Sequence, residues 1–121
     1  MTIPTDQTPA IAVASAPPGD HAGERYLARK RRFAALAQEW TEATAFTSSA
    51  TAMAMHPAYQ QIIGMGDAAL PFIFQELRRQ PDHWFWALKA ITGEDPVPPS
   101  DRGQIEKMAA VWLQWAEQRG Y

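Results

Sequence analysis

Ten prolines divide this chain, and their spacing limits its fold more than any other feature does. Proline fixes φ and removes an amide donor, so a helix accommodates it only in the first turn and a central strand not at all. Pro4, Pro9, Pro17 and Pro18 crowd the first residues, and Pro96, Pro98 and Pro99 crowd one later stretch. Pro57, Pro71 and Pro81 stand singly between them. The proline-poor segments carry apolar residues at spacings of three and four, and none alternates with period two over a strand's length. The expected fold class is therefore all-α: a compact helical domain of about five helices, two of them short.

Residues 1–19 hold four of the prolines and no Lys or Arg. They read as a flexible Pro/Ala-rich tail that has little to bury. The stretch lacks the basic start of a secretory signal, and its apolar run over residues 10–14 is too short to span a bilayer. Ile11 and Val13 could add a short strand to a partner. Residues 20–121 are then expected to form a single helical domain, in a protein with no membrane segment and a cytoplasmic location. The chain has no cysteine, which excludes a disulfide framework and a thiolate zinc site.

Over residues 20–46, Tyr26, Phe33, Leu36, Trp40 and Ala43 recur at helical spacing, and the Ser/Thr-rich stretch at 44–51 should fray the helix end. Met53 and Met55 are expected to plug the following turn onto the core. Pro57 suits the first position of the next helix, with His56 before it as a packed or capping residue and Tyr59, Ile62 and Ile63 on its buried side. Gly64 is a candidate for ending that helix at positive φ, and Gly66 for a second sharp turn. Asp67 reads as the cap of a helix over 68–79. A helix over 83–92 follows, closed by Gly93. A last helix is expected to open near Asp101, whose spacing to Gln104 matches a capping box, and carries Ile105, Met108, Trp112 and Trp115.

The stretch over residues 66–96 resembles a HEAT-like helical repeat. Gly66, Ala69, Leu70, Pro71, Ile73 and Leu77 match its first half, and Ala87, Leu88, Ile91 and Gly93 its second. The resemblance implies a HEAT-like helical hairpin in the middle of the domain. Trp84 and Trp86 depart from it, being bulkier than such repeats usually carry. Residues 56–121 also look like a group of small bacterial proteins with an HPAYQxIIGMG and WFWALxAITG style of signature, a likeness that implies a bacterial or mobile-element origin and no particular activity.

Candidate chemistry is sparse. The histidines are His21, His56 and His83, with no HExxH or paired HxH among them. A metal-dependent hydrolase would have to be assembled from His56, His83 and Asp82. The aspartates at 67, 82, 95 and 101 fall at helix starts or turns, where capping accounts for them. No nucleophile elbow or phosphate loop occurs. No catalytic residue, metal or cofactor is expected, and a non-enzymatic role is the leading expectation.

Binding offers more. The net charge of −2 excludes a globally basic coat but leaves room for a local patch. Arg29, Lys30, Arg31 and Arg32 are consecutive and cannot form one narrow stripe. Arg25, Arg29 and Arg32 share a side, and Arg78 and Arg79 could assist them in contacting nucleic-acid phosphates. The five tryptophans suggest a second surface. Trp84 and Trp86 point apart on a helix; Trp40, Trp84, Trp112 and Trp115 suit the core, and Trp86 suits the surface. The leading expectation is a protein-binding or assembly module that docks an unidentified protein, or a second copy of itself, through Trp86, Phe85 and Tyr121. The alternatives are a nucleic-acid-associated accessory protein using the basic helix, and the small hydrolase.

Overall fold

The computed structural model describes residues 18–121, with side chains from residue 22 onward. The expected tail, including Ile11 and Val13 as an added strand, falls almost wholly outside the described residues, as does the side chain of His21. Six α-helices follow one another: α1 Pro18–Ala43, α2 Ala50–Met55, α3 Pro57–Gly64, α4 Leu70–Arg79, α5 Phe85–Thr92 and α6 Ile105–Gln118. Single 3-10 turns occur at Gly66–Ala69 and Pro99–Asp101, and no strand occurs among the described residues. The chain divides inside α1 into two units, residues 1–31 and 32–121. In the first unit, every described side chain, from residue 22 to residue 31, is exposed.

The second unit holds the core. From α1 it takes Phe33, Leu36, Ala37 and Trp40, spaced three and four apart as one helical stripe should be. Trp40 packs against Tyr59 of α3 and against Trp84, with ring centroids 5.2 and 4.6 Å away. Its indole N–H donates to the Met53 carbonyl at 2.9 Å, tying α1 to α2. Phe33 extends this cluster to Trp84 and to Phe72 of α4. A second cluster joins Phe74 of α4 to Trp115 and Tyr121, and Trp115 to Trp112 edge-on. Phe72 and Phe74 lie two residues apart and so point to nearly opposite sides of α4, which is why this helix is buried on both. α4 packs on α6, whereas α5 packs on α3 and on the 66–69 turn. The indole N–H of Trp112 is buried with no hydrogen-bond partner among the described residues.

Several helix ends follow local chemistry. His56 Nδ1 accepts the Ala58 amide at 3.0 Å, and Pro57 occupies the first turn of α3, where a missing donor costs little. Gly93 ends α5 at φ 74°. Other ends differ from expectation. Residues 50–55 form a sixth helix instead of continuing a frayed turn, because Ser49 caps it by accepting the Ala52 amide and its sequence, ATAMAM, is alanine-rich. Met55 is correspondingly turned to solvent while Met53 is buried. Gly64 stays within α3, and the left-handed turn falls to Gly66 at φ 66°. Asp67 lies inside the 3-10 turn, which leads directly into α4 with no side-chain cap. Asp101 likewise ends a 3-10 turn, and α6 opens four residues later without a side-chain cap, so no capping box forms. Gln104 turns its amide to the Ser100 carbonyl instead.

The start of α5 is capped from elsewhere in the chain. Trp84 occupies its N-cap position and makes no side-chain cap, and the Asp82 carboxylate already accepts the His83 amide at 2.7 Å. The Tyr59 hydroxyl takes over. It accepts the Ala87 amide and donates to the His83 carbonyl, both at 2.9 Å. Burial raises the Tyr59 pKa well above its ordinary value, the Ala87 amide opposes that rise, and the negative charge of Asp82 adds to it.

Candidate protein-binding surface

Helix α5 presents two contrasting sides. Phe85, Ala87 and Leu88 turn inward, while Trp86 and Lys89 turn outward. Trp86 is 45% exposed, against 8% or less for the other four tryptophans. It borders a concavity of about 640 Å³ whose lining is mainly apolar. Phe85, Ile105 and Met108 give that lining its bulk, and Lys89 and His83 supply polar edges. Only a small part of Phe85 reaches the surface, since 93% of it is buried and 7% exposed.

The connector between α5 and α6 shapes this opening. Gly93 reverses the chain, and Pro98 is extended, at φ −69° and ψ 154°, before Pro99 opens the 3-10 turn. Gly103, at φ 85°, turns it again beside the concavity. Asp95 pins the connector: its Oδ2 pairs with Lys89 at 3.4 Å and Arg102 at 3.1 Å, and its Oδ1 accepts the amide of buried Val97. Further along, Glu94 Oε1 accepts from the Trp115 indole at 3.2 Å and from Arg119 at 3.3 Å, while the Arg119 guanidinium lies 4.1 Å from the centre of the Trp115 ring. Such exposed ion pairs contribute only about 0–1 kcal/mol each. Their effect here is to fix where the connector runs.

Tyr121 is 38% exposed, packs its ring against Phe74 at a tilt of 45° and does not line the concavity. Its carbonyl accepts from Arg78 at 2.8 Å. Arg79 grips Glu76 through two hydrogen bonds, of 2.7 and 3.3 Å, and these raise its pKa further. Both arginines are therefore engaged within the chain. Arg25 and Arg29 belong to the first unit and are exposed; Arg32 opens the second and is exposed too. His56 is engaged in capping α3. Among the described residues, no three His, Cys, Asp or Glu side chains could jointly hold a metal ion, and no helix is long and apolar enough to cross a membrane.

Sequence reasoning placed Trp86 outside and missed Ile105 and Met108 as walls of the concavity. Both belong to the stripe that continues into Trp112 and Trp115, but they are half-buried where the two tryptophans are buried. Periodicity marks the stripe without showing that its first turn overhangs an opening.

Neither a protein-family model, nor a curated protein, nor a solved structure matches the chain.

Proposed function

We propose that this protein is a non-enzymatic protein-binding module that receives a bulky apolar side chain of a partner protein in the concavity beside Trp86. The observation that carries the reading is the contrast among the tryptophans: four are buried, and the fifth stands at the rim of an apolar opening. Its volume lies within the range of about 300–1,000 Å³ typical of concavities that bury a drug-sized molecule, which is room enough for one bulky side chain. Half-exposed tryptophan beside a desolvated floor is the composition of interface hot spots. Phe85 would form the floor, Trp86 one wall and Lys89 a polar rim. In this reading the HEAT-like stretch over residues 66–96 is scaffold, and its departure at Trp86 is the contact residue.

The test compares wild type with Trp86→Ala as bait in a lysate of the source organism, with and without nuclease. A stoichiometric protein that survives nuclease and is lost with Trp86→Ala is the expected result. Retention of the same protein by both baits, or of none by either, overturns the reading.

A further inference from the structure

A second surface lies on α1 and does not depend on Trp86. Residues 24–32 contain five of the chain's eleven Lys and Arg residues against one acid, Glu24, in a protein whose overall charge is −2. All of these residues are exposed.

Elsewhere the cations are mostly engaged. Arg78, Arg79, Lys89, Arg102 and Arg119 each bond a carboxylate or carbonyl of this chain. By contrast, Arg25, Arg29, Lys30, Arg31 and Arg32 have no hydrogen bond or ion pair among the described residues. This revises the basic set expected from sequence: Arg78 and Arg79 leave it, and Lys30 and Arg31 join.

The arrangement around the helix selects the ligand. At 3.6 residues per turn, Arg29, Lys30 and Arg31 stand about 40°, 140° and 240° round from Arg25, so cations surround the helix. A helix lying on a lipid surface needs a segregated apolar face, which this pattern interrupts. A flat acidic protein surface would meet only one side. Phosphates flank a helix on both sides when it lies in the major groove of DNA, which is about 12 Å wide against a helix diameter of about 10–12 Å. We infer that residues 25–31 of α1 dock in the major groove of duplex DNA, with cations on opposite sides meeting phosphates on both flanking strands. The contact is to the backbone and is independent of base sequence.

The test is fluorescence anisotropy of a short labelled DNA duplex with the full chain at increasing salt. Four phosphate contacts give a slope of log K against log salt of about −3.6, so a fourfold rise in salt weakens binding on the order of a hundred-fold. Arg29→Gln and Arg31→Gln lie about 200° apart on the helix, and each should reduce the slope by about 0.9. Glutamine is a good helix former at exposed positions, and unchanged circular dichroism verifies the fold. Trp86→Ala should bind DNA as wild type does. Absence of salt-dependent binding overturns the inference. So does a slope change confined to one of the two arginines, which is the mark of a one-sided contact. Binding to vesicles of anionic phospholipid without binding to the duplex overturns it as well.

Discussion

Replacing Tyr59 by Phe removes one oxygen atom, and the structure specifies what that atom does. Tyr59 and Ala87 are both fully buried, and the hydroxyl is the acceptor for the Ala87 amide in the first turn of α5. It also donates to the His83 carbonyl. Phenylalanine keeps the ring packing against Trp40 and Trp84 but strands a buried amide. Leaving such a donor unsatisfied costs about 1–3 kcal/mol, so a loss of about 2–3 kcal/mol is expected once the second bond is included. Urea denaturation followed by circular dichroism would measure it. With an m value of about 1.5 kcal/mol/M, the midpoint should fall by about 1.3–2 M. The surface control Tyr121→Phe should change stability by no more than about 0.5 kcal/mol.

A pH series adds an independent arm. Because the Tyr59 pKa is raised in the folded state, the unfolded chain releases this proton near the ordinary value of 10.0 while the folded chain keeps it. The unfolded state then binds fewer protons, so the stability contributed by Tyr59 is complete below pH 10 and declines above it, by up to about 1.4 kcal/mol per pH unit. The gap between wild type and Tyr59→Phe should narrow on that limb. If the substitution costs less than about 0.5 kcal/mol and the gap is independent of pH, the hydroxyl is not the cap of α5.

Two glycines should respond in opposite directions to alanine. An added Cβ meets no atom within 4 Å at either Gly64 or Gly93, so backbone conformation alone decides. Gly64→Ala, inside α3, should stabilise by about 0.4–1 kcal/mol, and Gly93→Ala, at φ 74°, should destabilise by about 1–2 kcal/mol, both read by thermal melting. The neighbouring tryptophans should separate equally clearly. Trp84→Ala, at 2% exposure, should cost about 3–5 kcal/mol in urea denaturation. Trp86→Ala should cost less than about 1 kcal/mol, leaving its effect on partner retention interpretable as lost contact.

Features confined to a few consecutive residues were legible before the fold was known. Helical spacing located the stripe Phe33, Leu36 and Trp40 and separated inward Trp84 from outward Trp86. His56 before Pro57 marked a start, and Gly93 marked an end, because caps and left-handed turns act within about four residues. Tertiary structure decided matters where two distant groups compete for one role. Asp67 and Asp101 have the side chains of caps, yet the chain approaches α4 and α6 through 3-10 turns and makes no cap there. The cap of α5 comes from Tyr59, 28 residues before the amide it accepts, which no local pattern can announce. Phe85 reads as a surface contact beside Trp86, and the folded chain buries all but 7% of it. Arg78 reads as a free cation until the Tyr121 carbonyl, 43 residues away in the chain, is seen beside it, whereas the Glu76–Arg79 pair is a local one that helical spacing allows. Sequence spacing fixes which residues share one helix face, because that geometry is set by 3.6 residues per turn. Which atoms from different helices satisfy one another depends on packing, and only the folded chain brings them within bonding distance.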